Sequence, residues 1–122
     1  MPAAAARGRI IGLLEQEARN NGIDIGTDDL EVSDRDTYYP GATPMRMRVL
    51  GDRATGRLLG AQILGHREAE VAKRIDIFAT ALHHDMSVAA LADLDLSYAP
   101  PVASPWDPVQ AAALAWQRRH AD

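Results

Sequence analysis

The stretch Thr43–Gly65, "TPMRMRVLGDRATGRLLGAQILG", decides the fold. Met45, Met47 and Val49 alternate with Arg46 and Arg48, the two-residue period of a strand with one buried face. Asp52-Arg53-Ala54-Thr55-Gly56 follows as a turn, with Gly56 able to take a positive φ. Arg57 to Gly65 returns through Leu58, Leu59, Ile63 and Leu64, and Gly60 and Gly65 mark close backbone packing or a bulge. The two halves predict an antiparallel hairpin.

Working outward toward the N-terminus, Ile23 to Arg35 reads as extended, with Ile23/Ile25 and Leu30/Val32 alternating against acidic residues. The density of Asp28, Asp29, Glu31, Asp34 and Asp36 predicts an edge strand or exposed face. These acids lack EF-hand spacing and its glycine, so a solubilising edge is favoured over a cation site. Gly8 to Asn21 carries Ile10, Ile11, Leu13, Leu14 and Ala18 at the spacing of one helical face, and Asn21-Gly22 supplies a stop. An N-terminal helix is predicted there.

Toward the C-terminus, Glu68 to Met86 reads as a helix on Val71, Ile75, Phe78 and Leu82, with Glu68 and Glu70 suited to its N-terminal dipole. Ser87 is a candidate N-cap for a short helix through Ala92. Asp107 caps a last helix with Pro108 at its first position. His83-His84-Asp85 reads as a solvated helix end, because adjacent helical residues point about 100° apart and rarely share one ion. His66 reads as a loop residue, and no metal site is expected. Helix, strands and three more helices make an α+β layer, an antiparallel sheet with helices packed on one face.

The 122 residues fit a single domain. A net charge of −4 argues against nucleic acid and anionic membrane as partners, and Arg118-Arg119 is too short a basic run to reverse this. The absence of cysteine removes disulfides, thiolate nucleophiles and cysteine-based metal sites. No apolar run approaches the roughly 20 residues of a membrane span, and "MPAAAARGRI" lacks the apolar core of a secretory signal. A cytoplasmic setting is expected. No glycine-rich phosphate loop or Ser/His/Asp arrangement is found.

The aromatics concentrate instead. Tyr38 and Tyr39 stand beside Pro40-Gly41, and adjacent residues of an extended chain point to opposite faces. Asp93–Val109, "DLDLSYAPPVASPWDPV", holds Tyr98 in a proline-rich loop unusually long for a compact domain. Trp106 and Trp116 read as large packing anchors placed near an interface, where aromatics are over-represented.

In order, "YYPGATPMRMRVLGDRATGRLLGAQILG", "AKRIDIFATALHHDMSVAALADLDLSYAPP" and "WDPVQAAA" resemble the C-terminal dimerisation domain of the FAD-dependent pyridine nucleotide-disulfide oxidoreductases. "YYPG" and "L-x-Y-A-P-P" resemble its coenzyme A-disulfide reductase and NADH oxidase branch. The resemblance runs over 22–122, and the N-terminal helix expected over 1–21 matches poorly. It implies a homodimer, or pairing with a flavoenzyme, with Tyr98, Pro100, Pro101, Trp106 and Trp116 at the interface. It also implies that Tyr98, with Tyr39 or Tyr38, reaches the partner subunit's active site, in a full-length context only. A phenol can donate to a thiolate without carrying a positive charge. "SYAPP" replaces the His-Pro…Glu loop of the glutathione reductase branch, so a histidine mechanism is not carried over. FAD and NAD(P)H are implied for the parent enzyme, and no cofactor for the isolated chain. Two alternatives remain: a free-standing interaction protein that kept the fold and lost the flavin and NAD domains, and a small-molecule-binding domain built on Tyr38, Tyr39 and Tyr98.

Overall fold

The computed structural model describes residues 6–33, 44–66, 71–94 and 107–120. The hairpin stands at the centre: β3 (Pro44–Asp52) pairs antiparallel with β4 (Leu58–His66). Asp52 closes the turn, its Oδ1 accepting from the Ala54 N–H at 2.9 Å, and Gly56 takes φ 77°. The register slips between Leu50 and Gly51, a bulge that places Leu59 opposite no residue of β3. β2 (Ile25–Ser33) lies outside β3 as the predicted edge strand, and the sheet order is β1-β4-β3-β2.

The fourth strand corrects the N-terminal reading. Ala6–Gly12, expected as helix, forms β1 and pairs antiparallel along β4 from Ala6↔His66 to Gly12↔Gly60. Its apolar run is short and fits either period, so patterning alone could not decide. The outer edge of β4 does decide, because its backbone donors and acceptors need partners. At Gly12, φ 75°, the chain crosses β4 so closely that a Cβ would sit 2.4 Å from the Leu59 carbonyl oxygen. Only Glu15–Asn20 of the expected helix forms, as α1, ending at the foreseen Asn21-Gly22 stop. Residues 6–20 therefore belong to the same layered unit as the rest.

The pleat sorts side chains onto two faces. Met45, Met47 and Val49 of β3, with Ala61 and Ile63 of β4, face a buried core shared with α2 (Val71–His83), α3 (Val88–Ala92) and α4 (Pro108–His120). Val71, Ile75 and Phe78 supply the α2 stripe as predicted, with Leu82 half-buried beside them. Ser87 Oγ accepts from the Ala90 N–H at 3.0 Å and starts α3. The opposite face is mostly polar. There α1 covers one end through Ala18, Ile25 and Leu50, and Arg46 and Arg48 stand across from Glu31 and Asp29. The acidic run is thus a cross-strand ladder with arginines, with Asp34 and Asp36 outside the described residues. His83, His84 and Asp85 are exposed, and Asp85 pairs with Arg57 at 2.9 Å. Among the described residues no helix is long and apolar enough to cross a membrane.

Trp116 joins the helical layer to the sheet. Its ring is 5% exposed, its Nε1–H donates to the Gly26 carbonyl at 2.8 Å, and it lies flush on Gly51. A Cβ on Gly51 would fall 2.4 Å from Trp116 Cζ2, so this strand position has room only for hydrogen.

Two outcomes follow from this packing. Gly51→Ala lowers unfolding free energy by about 1–3 kcal/mol through overpacking. Combining it with Trp116→Leu costs clearly less than the sum of the single changes in urea titrations, because the ring and the methyl compete for one space. Strict additivity would refute the contact.

The second outcome concerns acid. Arg48 Nε donates to Asp29 Oδ1 at 2.6 Å, and this hydrogen bond holds the Asp29 carboxyl below the usual carboxylate range, against a smaller opposing effect of burial. A depressed carboxylate stabilises the fold above its unfolded pKa of about 3.9, and that stabilisation fades as pH falls through the lower folded value. The pair is largely exposed, so Asp29→Asn costs only about 0.2–1 kcal/mol at pH 7. The gap between variant and wild type closes on acidification below the carboxylate range. A gap that widens with acid would contradict it.

Candidate dimerisation surface

Of the residues that the resemblance assigns to the interface or the partner's active site, Trp116 alone falls among those described. Tyr38, Tyr39, Tyr98, Pro100, Pro101 and Trp106 lie outside them. Trp116 is committed within its own chain, to Gly26 and Gly51, with the His120 ring 4.9 Å from its own. What α4 offers outward are its neighbours Ala111, Leu114 and Ala115, half-exposed and apolar, followed by the exposed Arg118. The usual outward face of a surface helix is charged, and no periodicity argument singled these small residues out.

The described stems show where the tyrosine-bearing segments attach. Ser33 pairs with Pro44, and Met45 with Gly65, so 34–43 leaves and re-enters at the sheet end where β4 finishes. Helix α2 begins over that end and runs to the opposite one, where Leu82 packs against Gly12. Arg74, in the first turn of α2, faces Asp107 across 3.8 Å. From Asp107, α4 runs back along β2 until Trp116 meets Gly26 and Arg119 Nη1 stands 3.4 Å from Asp28 Oδ1. The Ser33/Pro44 stem and the Asp107 stem therefore share one end of the fold.

The base of the second segment is buried and polar. Asp107 and Arg74 are 8% and 6% exposed, an ion pair held largely away from water. Asp107 Oδ1 also accepts from the Val109 N–H at 2.8 Å, the N-cap that the Asp-Pro sequence predicts. Sequence reasoning found the cap and missed Arg74, which reads as one more helix-surface cation. The only hint is its i+3 offset from Val71 on the apolar stripe.

Helix starts are the natural seats for the phosphates of a dinucleotide. Here Asp107 fills the start of α4, Ser87 that of α3, and the Glu17 carboxylate accepts from the Leu14 N–H at 3.1 Å at α1. None of these three starts fits a flavin or nicotinamide pyrophosphate.

Comparison with known proteins agrees with this architecture. The family model for the pyridine nucleotide-disulphide oxidoreductase dimerisation domain matches residues 9–108, beginning inside β1 rather than at residue 22. The NAD(P)H sulfur oxidoreductase (CoA-dependent) of Pyrococcus abyssi is 41% identical over 98 residues, which are 80% of this chain and 21% of that protein. The coenzyme A disulfide reductase of Staphylococcus aureus is 36% identical over 70 residues, 57% of this chain and 16% of that protein. The solved NAD-dependent persulfide reductase from A. fulgidus superposes with a TM-score of 0.88 at 38% identity, over 94% of this chain and 21% of that one. The chain spans about one fifth of the length of the Pyrococcus relatives it matches. With sheet order, helix layer and family match in agreement, the chain belongs to the dimerisation-domain family of the pyridine nucleotide-disulphide oxidoreductases.

Proposed function

We propose that this chain is the homodimerising module of a flavin-dependent NAD(P)H disulfide oxidoreductase of the coenzyme A-linked branch, and that it is not catalytic alone. The observation that carries the geometry is the outward row Ala111, Leu114 and Ala115, apolar on the helix whose first turn holds the Leu94 and Asp107 stems. Ala111 and Ala115 let a second helix approach closely, Leu114 offers it apolar area, and a two-fold axis near them would pair like with like. Loops anchored at this end would reach across such an axis. In the parent enzyme FAD and NAD(P)H would supply the redox chemistry, and this module would contribute Tyr98, with Tyr39 or Tyr38, as hydrogen-bond donors to a sulfur anion on the partner side. Coenzyme A-linked substrates are favoured because the relatives at 36–41% identity carry coenzyme A in their names. Cytoplasmic placement suits a cysteine-free chain of this family.

Sedimentation equilibrium tests the assembly. A homodimer is expected at tens of micromolar, and Leu114→Glu, which buries a charge at the axis, should shift the chain to monomer while leaving its circular dichroism unchanged. A wild-type chain that remains monomeric would refute the reading. For the tyrosine, Tyr98→Phe should leave the melting temperature of the isolated chain unchanged, and Tyr98→Ala should cost under about 1 kcal/mol. Joined to the flavin and nicotinamide domains of a relative, the Phe variant should lower turnover. A large melting shift for the Phe variant would return Tyr98 to a purely structural role.

A further inference from the structure

The segment 95–106 departs from Leu94, just past α3, and re-enters at Asp107, and both stems are held by the first turn of α4. Gln110 Nε2 donates to the Ala92 carbonyl at 3.2 Å and also to the Leu94 carbonyl. At the other stem Asp107 caps the helix with Oδ1 and turns Oδ2 toward Arg74. One side-chain amide thus ties the exit of α3 to α4, one turn beyond the residue that anchors the re-entry.

The carbonyls at the end of α3 have no partner within the helix and could be satisfied by water. Fixing a glutamine side chain in their place costs rotamer entropy. What water would not supply is a fixed distance. α3 is a five-residue helix fixed at its start, where the Val88 N–H donates to the Gly56 carbonyl at 2.8 Å, and it is the exit that needs a second fix. Gln110 gives it an external reference on α4, which Trp116 and the Arg74–Asp107 pair already fix against the sheet and α2.

We propose that Gln110 is a positioning residue: its carboxamide sets the separation and direction of the Leu94 and Asp107 stems, and through them supports self-association of the chain. The link to self-association rests on the reading under Proposed function.

The absence of native cysteine makes the test clean. Spin labels on Asp93→Cys and Arg118→Cys, both exposed positions, report the distance from the end of α3 to α4. The labelled chain is diluted into unlabelled chain so that only intramolecular distances are read. Gln110→Met, which keeps the length and loses the donors, should broaden this distribution at least two-fold, with the urea midpoint little changed. Gln110→Lys, which restores donors, should narrow it again. In parallel, Gln110→Met should weaken self-association at least ten-fold. A distribution identical in wild type and Gln110→Met overturns the proposal. A broadened distribution with unaltered self-association upholds the positioning of the stems and refutes their link to the dimer. A wild type that is monomeric throughout refutes the homodimer reading alone, and the label distances still decide the role of Gln110.

Discussion

The indole of Trp116 fixes the relation between the two layers of this fold. Its N–H reaches the Gly26 carbonyl on the edge strand, and its ring occupies the space that a side chain on Gly51 would need. Burying an aromatic this completely contributes a few kcal/mol, and leaving the indole N–H without a partner would forfeit part of that. The ring therefore has one seat, and α4 has one orientation across β2 and β3. Everything at the other end of α4 inherits that orientation: the Asp107 cap, its buried contact with Arg74, and the Gln110 link to α3.

The same constraint separates two uses of the last helix. One side is consumed by Val109, Ala112, Ala113 and Trp116 in the core. The other presents Ala111, Leu114 and Ala115, with nothing polar until Gln117 and Arg118. A module that assembles by its helical layer needs an inner face that fixes the helix and an outer face that a neighbour can cover. The polar face of the sheet does different work. Its Arg46–Glu31 and Arg48–Asp29 pairs are largely exposed and add little stability, while the backbone ladder with β3 sets the register of the acidic edge strand.

Much of the fold was legible because its signals are local. The Met45/Met47/Val49 alternation, the Asp52–Gly56 turn, the Ser87 and Asp107 caps and the Val71/Ile75/Phe78 stripe each express a period or a capping preference within a few residues. The N-terminal strand was not legible: Ile10, Ile11, Leu13 and Leu14 fit a helix as well as a strand, and the choice is made by the open edge of β4, some fifty residues away. The site divides in the same way. "SYAPP" and "YYPG" marked segments by their composition, but where the Ser33/Pro44 and Asp107 stems stand depends on how α2 and α4 run. Trp116 was recognisable as an anchor, whereas its commitment to Gly26 and Gly51 is a tertiary fact. Arg74 carries only the hint of its offset from Val71, and Gln110 carries none, since a buried arginine and a bridging glutamine look like any polar helix residues until their partners are in place.

The most direct test of the central claim, that the outer face of α4 and the end bearing the two stems form the surface for a second copy, is amide hydrogen exchange at two protein concentrations, above and below the dimer midpoint. Raising the concentration should increase protection in α4 and at the Ser33/Pro44 and Leu94/Asp107 stems, while the solvent-facing amides around α1 stay unchanged. Concentration-dependent protection confined to α1 and the Arg46–Arg48 face of the sheet, with α4 unaffected, would contradict the account.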